Sequence, residues 1–356
     1  MRHAAHQGRS RLMIQRAFRV TAWLAGALIV CVFGALVVFR GLAVVRELDG
    51  VSRHAPASGR FVPTPLGHVF IQEAGPEAGP AVLLVHGTAA WSEIWRPTLD
   101  ALAGRGFRGI AVDLPPFGFS EKSLASTYEP EEQGRVLAAV LAALDLRDVV
   151  LVGHSFGARA TLEALLSSPA RVRALVLVDA ALGLDVPADV QPPLPLRALL
   201  AFEPLRSALV ASTLTNPLLT ARLLQSLIRD PADATPEAVA MLQRPMTVRH
   251  STRIAGNWLE RFLVPSGRPA SQQPETYGRL HLPVLLLWGD SDTVTPLPQA
   301  QRLHALLPQA RLQVLPDVGH IPHLEDAAAF NSALLGFLVN YGPGPATAGS
   351  TRNGTE

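Results

Sequence analysis

Gly153-His154-Ser155-Phe156-Gly157 sets a serine in the pattern G-x-S-x-G. Before it runs Val149-Val150-Leu151-Val152, an apolar stretch that reads as a buried strand. After it come Ala158 to Leu166, good helix formers throughout. A serine between strand and helix in this pattern is the mark of a nucleophile elbow. The turn is so tight that the serine must take an unfavourable backbone geometry. Side chains at the flanking positions would collide with neighbouring elements, and glycine removes those collisions. Ser155 Oγ then stands above the sheet, and the next backbone N–H, that of Phe156, points at a developing oxyanion.

A serine nucleophile needs a base within hydrogen-bond reach, and the base needs an orienting acid. Two late loops supply candidates. One is Gly289-Asp290-Ser291-Asp292, after the apolar run ending at Trp288. The other is Gly319-His320-Ile321-Pro322-His323, after Arg311–Leu315. Both follow strands, at the carboxyl ends where α/β sheets place their chemistry. Asp179 and Asp113, each at the end of an apolar run, are further acids to be weighed.

The elements that must position these residues are legible as strand–helix alternation. Phe61–Thr64 and His68–Gln72 read as a β-hairpin. Ala81–Val85, Arg108–Asp113, Val149–Val152, Val172–Asp179, Pro283–Trp288 and Arg311–Leu315 read as strands. Helical patterns lie between them at Ser92–Ala103, Glu131–Leu144 and Pro298–Leu307, with a last helix from Glu325 to Asn340. This predicts a mostly parallel, doubly wound α/β sheet. The alternation breaks over residues 183–276. That stretch holds short helical patterns punctuated by proline, at Leu196–Phe202, Pro217–Ile228, Pro236–Leu242 and Ser251–Leu263. It reads as a helical cap inserted late in the chain.

The expected organisation is therefore a basic segment 1–19, an anchor 20–45, a tether 46–59, a core in two parts (60–182 and 277–342), the cap 183–276 and a disordered tail 343–356. The anchor rests on Val20–Phe39, twenty residues without a charge. At 1.5 Å per residue they span about 30 Å, the thickness of a bilayer's hydrocarbon core. The run exceeds the core of a cleaved signal peptide and lacks small residues close behind it, so it reads as an uncleaved transmembrane helix. Five arginines precede it, and Arg40, Arg46 and Arg53 follow. That bias predicts a cytoplasmic N-terminus with the bulk of the chain on the outer side. The lipid bilayer is thus an expected partner through residues 20–45.

Here the chain resembles the α/β-hydrolase family, in its capped, esterase-like branch. The resemblance rests on His86-Gly87, Asp113-Leu114-Pro115, Gly153 to Gly157, Trp288 to Asp292 and Gly319-His320, and covers about residues 60–342. It implies the α/β-hydrolase fold and a catalytic set of Ser155, Asp292 and His320, in that chain order. The family's Gly-x-x-Asp pattern selects Asp292 over Asp290, whose plainer role is to hold its loop. Asp179 occupies a strand end that supplies the acid in some relatives. The oxyanion donors would be the backbone N–H groups of Thr88 and Phe156. His86 and His154 are expected to be structural, Asp113 to brace its turn, and His323 to sit partly exposed on the last helix. Trp91 is expected to border the substrate pocket. Asn257, Trp258 and Arg261 could face a substrate from the cap, against the plainer reading of helix packing.

Composition excludes several classes. The net charge is +2, from 31 basic and 29 acidic residues, which gives no field for nucleic acid. The single cysteine, Cys31, lies in the apolar run, so no intramolecular disulfide or cysteine-based metal site is available. Gly104 to Gly109 spells G-x-G-x-x-G, but it ends a helix and precedes a strand, the reverse of a dinucleotide loop. His320-x-x-His323 has no third ligand at suitable spacing. Neither a cofactor nor a metal is implied. The sequon at Asn353 lies in the tail. The expected reaction is hydrolysis of a carboxylic ester through an acyl-serine, with an apolar or lipid-like small-molecule substrate. A C–C bond hydrolase or a cofactor-free perhydrolase on the same triad stays open, as do a peptidase and a binding scaffold without catalysis. Ser155 at the elbow disfavours relatives with an aspartate nucleophile.

Overall fold

The computed structural model describes residues 2–47, 50, 55–185 and 192–341, with side chains from Phe18 onward. The tail expected at 343–356 and the sequon lie outside the described residues. Eight strands form one sheet: β1 (Gly59–Thr64), β2 (Gly67–Ala74), β3 (Ala81–Val85), β4 (Arg108–Val112), β5 (Val149–His154), β6 (Val172–Val178), β7 (Val284–Gly289) and β8 (Arg311–Leu315). Their spatial order is β1-β2-β4-β3-β5-β6-β7-β8. β2 runs antiparallel to both β1 and β4, and every other pairing is parallel.

The continuous apolar runs follow from burial on both faces. Leu83, Val85, Leu151, Leu175 and Leu286 point to one face, covered by helices Pro130–Ala143, Gly157–Ser167 and Leu297–Leu306. Val82, Leu84, Val150, Val152 and Leu285 point to the other, covered by Arg96–Ala103 and Ala327–Tyr341. The chain leaves β3 toward β4 on one side and β5 toward β6 on the other. The switch point is therefore between β3 and β5, the place where such sheets open a crevice.

Between β6 and β7 the described residues form helices only: Leu194–Ala201, Glu203–Ser212, Thr220–Gln225, Pro236–Gln243, Ser251–Leu263 and Pro274–Tyr277, with short 3-10 turns. Glu203–Ser212 has no counterpart in the sequence reading, because Pro204 and Glu203 look there like loop punctuation. Both in fact suit the first turn of a helix. The expected last helix splits in two, Pro322–Glu325 and Ala327–Tyr341. The G-x-G-x-x-G stretch is a turn between Ala103 and β4, with Gly106 at φ +77°.

The N-terminal helix runs from Arg2 to Arg46. Its Phe18–Arg46 portion is long and apolar enough to cross a membrane by length and composition. Its apolar side chains are largely exposed, Trp23 at 80% and Val30 at 71%. Its end is seated on the cap. Arg46 Nη2 donates to the Thr215 carbonyl oxygen at 2.8 Å. The buried Glu47 carboxylate accepts from the Thr252 N–H at 3.1 Å and from the Thr252 hydroxyl. Replacing Glu47 with alanine leaves the buried Thr252 N–H unmatched, while the Thr252 hydroxyl keeps Thr215 Oγ1 at 2.8 Å, at an expected cost of about 1–3 kcal/mol. Thermal unfolding of the full-length protein in detergent checks this, and an unchanged melting temperature would show that the helix end does not rest on the cap.

Candidate active site

The elbow is built as the glycines require. Ser155 has φ +50°, in the left-handed region. A Cβ on Gly153 would lie 2.5 Å from Thr161 Oγ1, and one on Gly157 would lie 2.3 Å from the His86 carbonyl oxygen. β5 meets the helix Gly157–Ser167 at Gly153, and the start of that helix meets the end of β3 at Gly157, each so closely that only glycine fits.

The loops after β7 and β8 bring their side chains to this point. Ser155 Oγ donates to His320 Nε2 at 2.8 Å, and His320 Nδ1 donates to Asp292 Oδ2 at 2.8 Å. Asp292 also accepts from the N–H groups of Val294 (2.7 Å) and Thr295 (3.0 Å), and from Thr295 Oγ1 at 2.6 Å. Burial works against the Asp292 charge. The bonds from His320 and Thr295 outweigh it and hold the carboxyl well below the usual carboxylate range. An acid that stays ionised is the one suited to stabilise an imidazolium.

The competing acids take other roles. Asp290 is exposed and accepts from the Ser291 hydroxyl. Asp113 is buried and braces its turn through the N–H groups of Ser92 and Phe119, both at 2.6 Å. Burial pushes its carboxyl up to about 6. Asp179 is fully buried, accepts from the Gly289 N–H at 3.0 Å and stands beside Asp292. Burial and the neighbouring Asp292 charge hold its carboxyl well above the ordinary carboxylate range. Asp179, Asp292 and His320 offer atoms within 4.8 Å of one another. His320 Nδ1 and Asp292 Oδ2 are already joined by a proton, so this trio does not present three lone pairs to a metal.

The other histidines are structural, each in a specific way. His86 Nδ1 donates to the Gly87 carbonyl oxygen at 2.8 Å, and its Nε2 accepts from the Leu114 N–H at 2.9 Å. Burial lowers its pKa to about 4. His154 Nε2 donates to the His320 carbonyl oxygen at 2.8 Å and so holds the backbone of the base. His323 corrects the expectation of partial exposure. It is fully buried, stacked on Trp95 at 3.9 Å, because the short helix Pro322–Glu325 turns it inward.

Two backbone N–H groups near the serine are without a partner. Among the described residues neither Thr88 nor Phe156 uses its amide N–H in a hydrogen bond. Thr88 and Ser155 line one cavity of about 300 Å³ with Ala90, Ile94, Leu224, Leu242 and Met246. Trp91 is not among its walls. Its ring is buried against Phe119 and its Nε1 donates to the Met241 carbonyl oxygen at 2.8 Å, pinning cap to core. The extended backbone at Trp91 turns its side chain away from the crevice. Asn257 also stands apart. It accepts from Arg206 Nη2 and donates to the Leu124 carbonyl oxygen, which is cap packing. Trp258 and Arg261 line a different cavity.

Sequence reasoning missed Glu325. Its carboxylate gathers the N–H groups of Arg229 (2.7 Å), Gly319 (2.8 Å) and Ile321 (2.8 Å), bracketing His320 and joining its loop to the cap. The only signal was a carboxylate one helical turn past the glycine–histidine pair.

Residues 80–327 match the model of the alpha/beta hydrolase fold family. The chain belongs to the α/β-hydrolase family. Among curated proteins this α/β hydrolase is 30% identical over 274 residues to a 2-hydroxy-6-oxononadienedioate/2-hydroxy-6-oxononatrienedioate hydrolase of Paraburkholderia phymatum. That alignment covers 72% of this chain and 86% of the other. Among solved structures the α/β hydrolase is similar to the esterase RhEst1 from Rhodococcus sp. ECU1013, with a TM-score of 0.62, 23% identity, and coverage of 80% and 100%. It is also similar to the meta-cleavage product hydrolase CumD from Pseudomonas fluorescens IP01, with a TM-score of 0.61, 21% identity, and coverage of 79% and 98%. These two likenesses speak for the fold.

Glu325→Gln keeps the size of the side chain but loses one acceptor oxygen, so the His320 loop shifts. A fall of about ten- to a hundredfold in kcat with KM nearly unchanged is expected. A merely structural role would lower the melting temperature and leave the kcat of the folded enzyme intact.

Proposed function

We propose that the protein is a membrane-anchored serine hydrolase that cleaves carboxylic esters with an apolar acyl or alcohol group. His320 takes the proton of Ser155 Oγ as it attacks the ester carbonyl, and Asp292 fixes the imidazole and stabilises its charge. The tetrahedral oxyanion rests on the N–H groups of Thr88 and Phe156. Collapse expels the alcohol, which takes the proton from His320. Water, deprotonated by the same His320, then releases the acid from the acyl-serine.

The observation that carries the ester reading is the composition of the catalytic cavity. Among the described residues its walls hold no arginine, lysine, aspartate or glutamate. The relative in Paraburkholderia phymatum is named for a dioate, a doubly charged substrate. A dianion in this cavity would shed its hydration with no cation to meet it, a cost of several kcal/mol. An alkyl chain loses nothing there and gains about 0.8 kcal/mol per buried CH₂. C–C bond hydrolysis is the second reading, favoured by the name of that relative.

The anchor reading is supported by Phe18–Arg46, an apolar helix whose side chains are exposed. The five-against-three arginine bias favours a cytoplasmic N-terminus and an outer hydrolase domain.

The test is a series of p-nitrophenyl esters on the full-length protein in detergent, beside Ser155→Ala. Activity should peak at medium chains and fall at least about 10³-fold in the variant. A peak at acetate contradicts the apolar substrate. Turnover of a 2-hydroxy-6-oxo-dienedioate without ester turnover selects the C–C reading.

A further inference from the structure

A second cavity, of about 230 Å³, lies behind the elbow. Phe156, the residue after the serine, lines this cavity. The aromatic wall continues through Trp258, 5.3 Å from Phe156, and Phe262, stacked on Trp258 at 5.0 Å. Three arginines, Arg135, Arg159 and Arg261, reach the same space.

Arg159 is the informative one. Its Nε donates to the Ala181 carbonyl oxygen at 2.6 Å, and its Cζ lies 5.4 Å from the centre of the Phe262 ring. That fixes the plane of the guanidinium. Among the described residues its two terminal nitrogens have no acceptor. Burial lowers its pKa to about 10, so it remains charged at neutral pH.

Three glutamates, Glu129, Glu131 and Glu132, line the cavity too, yet none pairs with these arginines within 4 Å among the described residues. Glu132 is spent on Ser126, Thr127 and Tyr128, and Glu129 accepts from the Ser266 N–H. Burial raises the pKa of Glu131. A fixed guanidinium fork without a carboxylate, beside a flat apolar wall, is a receptor for a planar anion. The neighbouring glutamates repel a doubly charged phosphate more than a single carboxylate.

We infer that this cavity is a binding site, separate from the catalytic one, for a small monocarboxylic acid with a flat or apolar body. The carboxylate meets the terminal nitrogens of Arg159, with Arg261 alongside. The body lies against Phe156, Trp258 and Phe262. The site does not depend on which bond Ser155 cleaves.

Titration calorimetry with benzoate tests it, on the full-length protein in detergent, before and after Ser155 is blocked with a fluorophosphonate. Blocking leaves benzoate affinity unchanged if the site is separate. Arg261→Gln, at a partly exposed position that bears no tertiary hydrogen bond among the described residues, weakens binding roughly tenfold or more, the loss of one charge-assisted bond. Loss of binding on blocking overturns the proposal, because the acid then sits at the serine. Unchanged affinity in Arg261→Gln, or inorganic phosphate binding as tightly as benzoate, overturns it as well. If the protein takes no label, the ester reading is in question, and the Arg261→Gln comparison on unblocked protein still decides this site.

Discussion

The catalytic arrangement depends on one backbone conformation, the left-handed Ser155. A non-glycine residue there is strained, and strain persists only where its surroundings over-determine it. The over-determination is visible on both sides. Thr161 and Ala158 crowd Gly153, and the His86 carbonyl oxygen crowds Gly157. The Ser155 N–H donates to the Val178 carbonyl oxygen at 2.9 Å, and its own carbonyl oxygen accepts from Ala181 at 3.1 Å, so β6 grips the residue as well. The packing that hides the sheet also forces the hydroxyl out of it.

The base is held by a different device, because it lies on a loop. Its backbone is fixed at three points that belong to three parts of the chain. The His320 N–H donates to the Leu227 carbonyl oxygen in the cap, at 2.9 Å. Its own carbonyl oxygen accepts from His154 in the elbow. Glu325 gathers the amides on either side. The cap is thus a structural member of the triad as well as a wall of the pocket. Its composition and the base's position are tied to each other.

The fold was legible where burial dictates composition. β3, β5, β6 and β7 are covered on both faces, so their residues are apolar without alternation and stand out in the sequence. The triad was legible because short loops after such strands leave few chemically competent residues. What escaped the sequence depends on direction in space. Trp91 sits beside the oxyanion loop in sequence but turns into the seam between cap and core. His323 is three residues from the base and fully buried. Glu325 acts through backbone amides, which leave no trace in residue type. The helix Glu203–Ser212 packs on the N-terminal helix, more than 150 residues earlier in the chain, and on Ser251–Leu263, partners that its own sequence does not show.

Arg46 and Glu47 join the N-terminal helix to Thr215 and Thr252, and so make the helix a lever on the cap. On the anchor reading proposed above, this helix would sit in a bilayer, where such a helix tilts until its apolar length matches the hydrocarbon thickness. A lever fastened at its end passes that tilt on. Thick and thin membranes would then present the same catalytic cavity with different inclinations of its roof. Bilayer thickness would become a variable of the enzyme without any lipid entering the active site.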